Sequence, residues 1–312
     1  MSAAAGRGTT ARHAGSLEVR GLTLSIGGSE ILRGVDLSVP AGEITGLAGE
    51  SGSGKTMTGL AVCGLQPAGS RLGGSIEFRQ GDEPPVELLS LAPKAMNRLR
   101  GRRIAMIFQD PSASLHPMLS IGAQLTDHVR HHLGLSRSAA RRHAIELLER
   151  VQVPDPASAV QRYPHQFSGG QLQRIAIAGA IACDPVVLIA DEPTTALDVT
   201  VQAGILRLLR QLCDDLDLAV VLVTHDLGVM SAVADTVAVM RTGEVVEHGT
   251  RYQVIREPVT EYARELVASL PHVPPPGAGV VGPDSGEGPA GPTGIPADAP
   301  VEVAPHAPEE AS

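Results

Sequence analysis

Between residues 49 and 56 the chain reads Gly-Glu-Ser-Gly-Ser-Gly-Lys-Thr, and the flanks of this octet confine it to one kind of local structure. An apolar run at 44–48 enters it as a strand would, and residues 57–65 leave it as a helix would. Gly49, Gly52 and Gly54 let the backbone turn so that successive N–H groups point inward, the geometry that cradles phosphate oxygens. Lys55 then stands where its ammonium reaches the β- and γ-phosphates, and Thr56 where its hydroxyl meets a Mg²⁺ ion. The anion would sit at a helix N-terminus, where the helix dipole favours it. Gly49, Glu50, Ser51, Gly52, Ser53, Gly54, Lys55, Thr56 and Met57 are therefore the candidate nucleotide-binding set.

Composition supports a special role for this lysine. The chain has only two lysines, Lys55 and Lys94, and otherwise takes its positive charge from arginine. A compact ammonium, not a planar fork, is used at the loop. At 312 residues the chain has room for about two domains and a sizeable core. Of its net charge of -9, six carboxylates lie beyond residue 271, where there is no Lys or Arg. The remainder carries a net charge near -3, which argues against a mainly nucleic-acid-binding surface. Cys63, Cys183 and Cys213 have no CxxC spacing and read as small buried hydrophobes in a reducing compartment. No apolar run approaches a membrane span and no signal-peptide core is present, so any work at a membrane is expected to go through a partner.

Along the chain, residues 1–14 are expected to be a flexible N-terminal segment. Alternating strands follow at 17–19, 22–24 and 31–39, with Gly27-Gly28 as a turn, then at 75–78 and 104–108. Helical spacing marks 121–133, 138–151 and 171–182, the last opened by a Ser168-Gly169-Gly170 turn. Strands at 186–190, 219–224, 237–240 and 244–247 alternate with helices at 201–213 and 227–233. Continuous apolar strands alternating with helices predict a parallel sheet covered on both faces, with a helical block (about 110–184) inserted into it. Residues 271–312, rich in Pro, Gly, Ala and acid, are expected to be disordered.

The run 186–190 ends in Asp191-Glu192. An Asp at a strand's C-terminal tip can hold Mg²⁺, and the adjacent Glu192 can polarise an attacking water as general base.

With these motifs the chain resembles the ATP-binding subunits of ABC transporters over about 17–270. Phe167-Ser168-Gly169-Gly170-Gln171 is similar to the family signature and Gln109 to its Q-loop glutamine. Asp191-Glu192 is similar to Walker B with the catalytic glutamate, Ala196-Leu197-Asp198 to the D-loop, and Thr224-His225-Asp226 to the switch histidine. The resemblance implies an α/β phosphate-loop NTPase core with an antiparallel β subdomain and an inserted helical subdomain, all within 15–270. It implies two such subunits, of the same or different chain, sandwiching ATP between one phosphate loop and the other's Ser168, Gly169, Gly170 and Gln171, with Asp198 nearby. Glu192, His225, Gln109 and Lys55 would be catalytic, and Thr56, Gln109 and Asp191 would hold Mg²⁺. The partners would be integral-membrane permease subunits and, indirectly, an extracytoplasmic solute-binding protein, which places the chain at the cytoplasmic face of the cell membrane.

Finer features resemble the peptide/nickel import branch: Phe108-Gln109-Asp110-Pro111, Ser114-Leu115-His116-Pro117, Tyr163-Pro164-His165, residues 198–203 and residues 260–271. No Cys follows 213, which speaks against an iron–sulfur site and leans toward shorter members, some serving nickel uptake. Two departures stand out. Ile26 occupies the position where the family stacks an aromatic on adenine, which predicts weaker base discrimination, and Phe167 replaces the commoner leucine. His128 and His132 have the i, i+4 spacing of a metal pair, but without a third ligand they read as a solvated His/Arg helix face. The alternatives are a soluble ABC ATPase, a silent regulatory subunit of a heterodimer (disfavoured because Lys55, Asp191, Glu192 and His225 are intact) or a subunit of an exporter.

Overall fold

The computed structural model describes residues 15–195 and 197–269; the expectations for 1–14 and 271–312 lie outside the described residues. The chain opens with β1 (Gly15–Ile26) and β2 (Ser29–Val39), joined by Gly27-Gly28 with φ of 58° and 90°. Two consecutive left-handed residues make the primed turn whose twist matches antiparallel strands. β1 is one strand where two were expected. It runs through Gly21 as a bulge, its N–H donating to Asp36 Oδ1 at 2.8 Å, and resumes pairing at Leu22. β4 (Arg71–Gln80) and the two-residue β5 (Val86–Glu87) complete an antiparallel sheet in the order β2-β1-β4-β5.

A second sheet contains β3 (Ile44–Ala48), β6 (Ile104–Ile107), β7 (Val187–Asp191), β8 (Ala219–Thr224), β9 (Thr236–Arg241) and β10 (Glu244–Thr250), in the order β10-β9-β3-β8-β7-β6. Five of these strands are parallel, as the apolar runs predict. β10 is antiparallel. Only Thr242-Gly243 separates it from β9, with φ of 47° and 88°, and a two-residue link can only turn the chain back on itself.

Alternation sorts the parallel strands between two cores. Leu47, Ile189, Val221, Val223 and Met240 point to one face, against Leu17, Val19, Leu22 and Leu24 of the antiparallel sheet. Ile44, Leu188, Ala190, Leu222 and Val239 point to the other, which helices cover. The helix α1 (Lys55–Val62) lies on the first face, so close that a Cβ on Gly59 would come within 3.0 Å of Ile189. A short α2 (Pro93–Leu99) follows β5.

Between β6 and β7 the chain is helical: α3 (Pro111–Ser114), α4 (Ile121–Leu133), α5 (Arg137–Arg150), α6 (Pro156–Ala159) and α7 (Gly169–Ile181). Ser120 caps α4 by accepting from Ala123 N, and Gly134, at φ 67°, ends it. α7 begins two residues earlier than expected. Gly169 and Gly170 belong to its first turn because Ser168 and Gln171 form a reciprocal capping box. After β7 come α8 (Val199–Leu216), α9 (Leu227–Val233), α10 (Arg251–Arg256) and α11 (Glu261–Ala268). No helix among the described residues is long and apolar enough to cross a membrane.

Candidate active site

In the order β3-β8-β7-β6 the carboxyl ends of four adjacent parallel strands carry, in turn, the 49–56 loop, His225, Asp191-Glu192 and Gln109. Such strand ends are where open α/β sheets bind ligands. Gly49, Gly52 and Gly54 take φ of 147°, 83° and 108°. Gly49 has a second reason to lack a side chain, since a Cβ there would run into the backbone carbonyl of Met240. Lys55 is 5% exposed, and its Nζ donates to the carbonyls of Gly49 and Glu50, both at 2.7 Å. Burial pulls its pKa below the ordinary lysine value, against the opposing pull of Glu192, Asp191 and Glu50. Met57, next along α1, is partly buried against the core.

Thr56 Oγ1 donates to Asp191 Oδ1 at 3.0 Å, joining the loop to the end of β7. Asp191 is 4% exposed, and burial raises its carboxyl above the usual range despite the Thr56 bond and the Lys55 charge. The Thr56 hydroxyl, the Asp191 carboxylate and the Gln109 amide carbonyl are hard oxygen donors, a set that fits Mg²⁺.

Glu192 is where the site converges. Its Oε2 accepts from Gln109 Nε2 at 3.0 Å and from Thr195 Oγ1 at 2.8 Å, and its Oε1 accepts from His225 Nδ1 at 3.0 Å. Burial pushes this carboxyl up, but the bonds from His225 and Thr195 and the charges of His225 and Lys55 outweigh it, leaving the pKa lowered. The residue has φ of 45°, left-handed for a non-glycine, and is held there by its N–H donating to Val223 O at 2.9 Å. Sequence reading missed Thr195, whose hydroxyl has no motif of its own in the sequence.

Ser168 and Gln171 bond to each other at the start of α7, and Gly169 and Gly170 lie against α8 and the residues leading into it. A Cβ on Gly169 would touch Leu197, and one on Gly170 would fall 2.5 Å from Val201. Asp198 caps α8, accepting from Thr200 N at 3.0 Å and Val201 N at 2.9 Å; Ala196 lies outside the described residues. Phe167 is partly buried, with the Arg162 guanidinium 4.1 Å from its ring centre. Ile26 ends β1, paired with Ser29 and packed at the margin of the first core.

The His128/His132 face is not simply solvated. The rings meet edge to face at 4.9 Å, and His128 Nε2 is buried without a hydrogen-bond partner. Burial lowers both imidazoles, since α4 packs them over the side-chain-free Gly101. His128 also lines an apolar groove of about 280 Å³ with Leu65, Met106, Phe108, Leu115 and Ile175. The three cysteines are buried, their thiols raised by burial to about 12, 11 and 12 for Cys63, Cys183 and Cys213. They are inert thiols.

A family model described as ABC transporter matches residues 32–195. A peptide import ATP-binding protein of Brucella abortus (strain 2308) is 49% identical over 227 residues, covering 72% of this chain and 67% of that one. The chain belongs to the ABC transporter family. This ABC chain is also 45% identical to the dipeptide transport ATP-binding protein DppD of Bacillus subtilis (strain 168), over 73% of this chain and 67% of that one. Among solved structures it is similar to the dimeric ATP-binding cassette MJ0796 in a post-hydrolysis state with ADP and Pi. That match has 27% identity and a TM-score of 0.64, and covers 75% of this chain and 98% of that one. The ABC chain is thus an ATP-binding ATPase subunit with the cassette fold.

Proposed function

We propose that this ABC ATPase powers peptide import through a separate membrane permease, with Glu192 as the general base of hydrolysis. The observation that carries the catalytic assignment is the Glu192 carboxylate, held anionic and oriented by Gln109, Thr195 and His225 beside Lys55 and Asp191. An acceptor fixed from three sides can take a proton from water without reorienting. The 49–57 loop holds the phosphates, with Lys55, aimed by the Gly49 and Glu50 carbonyls, turning its remaining donor to phosphate oxygens. Thr56, Asp191 and the amide oxygen of Gln109 would hold Mg²⁺. When bound, that ion would offset negative charge on the β- and γ-phosphates. His225 keeps Glu192 in place from the strand next to β7 and orients it toward the γ-phosphate.

Ser168, Gly169, Gly170, Gln171 and Asp198 stand apart from the loop's own hydrogen bonds. Their reading as the half-site offered to a second ATPase subunit is supported by the dimeric form of MJ0796. The helical subdomain, about 110–184 within a 15–270 ATPase domain, carries the coupling surface in this reading. The apolar groove beside Phe108 takes the permease, because Gln109 follows that residue directly and touches Glu192. The chain then works at the cytoplasmic face of the membrane, and a solute-binding protein delivers the cargo on the far side. Peptide is favoured over nickel by the names of the Brucella and Bacillus relatives.

The test is transport in vesicles containing the chain and the permease encoded beside it. Internal ATP should drive uptake of a labelled di- or oligopeptide, and Glu192→Gln should abolish it. ATP-independent uptake, or uptake of nickel but not peptide, would refute the reading.

A further inference from the structure

The phosphate loop is gripped from outside the strand and helix that form it. On one side the turn after β9 reaches it, Gly243 N donating to Ser53 O at 2.9 Å. On the other, Glu50 N donates to the hydroxyl of Tyr262, on α11, at 3.1 Å. Tyr262 is 5% exposed and has the Arg241 guanidinium 4.7 Å from its ring centre, so its hydroxyl is fixed by packing. α11 is itself fastened. Glu247 of β10 accepts from Val259 N at 2.9 Å, Thr260 N at 2.8 Å and Thr260 Oγ1 at 2.6 Å, where Thr260 caps the helix. These bonds hold the Glu247 carboxyl low in spite of its burial.

Glu50 is therefore held at both ends of its backbone, its N–H by Tyr262 and its carbonyl by Lys55. It lies between Gly49 and Gly52, both at positive φ, and without a Cβ at either the backbone here has other conformations open to it. We propose that Tyr262 is a positioning residue of the nucleotide site: it fixes Glu50, and through Glu50 the carbonyl pair that aims Lys55, so that the loop is preorganised for phosphate. The C-terminal helix thereby becomes part of the ATP site, although the family model's match stops at residue 195.

This rests on the reading of residues 49–57 as the ATP loop. The test uses the full-length chain, with ATP binding measured by calorimetry and steady-state ATP turnover measured in parallel. Tyr262→Phe keeps the ring beneath Arg241 and removes only the hydroxyl. It should raise Kd and KM for ATP about tenfold, the scale of one part-buried hydrogen bond lost from the loop. The rate at saturating ATP should stay within threefold and the melting temperature within a few degrees. Glu247→Ala, which loosens α11 but leaves Tyr262 in place, should shift KM the same way and by less. An unchanged KM in Tyr262→Phe, or a lowered melting temperature with unchanged KM, would overturn the proposal. Failure of the wild-type chain to bind ATP would instead overturn the reading of the loop, and the proposal with it.

Discussion

Replacing Glu192 by Gln separates base chemistry from architecture more cleanly than any other single change here. Gln109 and Thr195 both donate to the same oxygen, Oε2, and an amide oxygen in that place can accept both bonds. His225 Nδ1 faces the other oxygen at 3.0 Å, and it can accept from the amide N–H₂ by changing tautomer. What is lost is the charge assistance of these bonds, a folding cost of about 1 kcal/mol and a fall in melting temperature of about 2–4 °C for a domain this size. The neutral amide cannot take a proton from water, so turnover should fall by about 10²–10⁴, or about 3–5 kcal/mol in the barrier. ATP binding should survive, and the variant should accumulate as a closed dimer with ATP bound. The assay is phosphate release at saturating Mg-ATP, alongside ATP affinity and size-exclusion chromatography. Turnover within about threefold of wild type would refute the assignment of Glu192 as the base.

Lys55→Met should lower ATP affinity about 100-fold or more, because the charge-assisted contacts to phosphate are gone. Its melting temperature should change by only a few degrees, since losing a desolvated ammonium offsets the two carbonyl bonds, and a large drop would contradict that balance. For Glu192 the sign follows from its lowered pKa: its ionised form adds stability above the unfolded value of about 4.3, and this is lost as pH falls through the lower folded value. The melting-temperature gap between wild type and Glu192→Gln should thus be full above the unfolded value and narrow as pH falls below it; a gap that widens in acid would reverse the argument. At the base, Ile26 offers aliphatic contact where an aromatic would stack, so ATP and GTP affinities should differ less than about tenfold, and a strong ATP preference would count against this.

Much of this was legible in the sequence because the site sits at the ends of buried parallel strands. Continuous apolar runs that stop at Asp191 or His225 show both the strand and where the candidate site begins. Other parts were hidden for identifiable reasons. Gly169-Gly170 resembles a turn, yet the S-x-x-Q spacing from Ser168 to Gln171 is a helix-start signal that outweighs it. α11 is short, and its anchor Tyr262 shows its function only through a bond spanning 212 residues. The meeting of Gln109 and His225 on Glu192 spans 83 and 33 residues and depends on strand order, which no local pattern encodes.

That strand order behaves as a ruler. Neighbouring strands stand about 4.8 Å apart, so the carriers of His225, Glu192 and Gln109 are spaced by backbone pairing and not by the helices that cover them. Any sequence that keeps the register Ala190↔Leu222 and Ile107↔Ala190 inherits the spacing. The helices α4 to α6, which leave Gln109 and Ser168–Gln171 in place, should then be exchangeable between cassettes, giving chimeras that keep their ATPase chemistry.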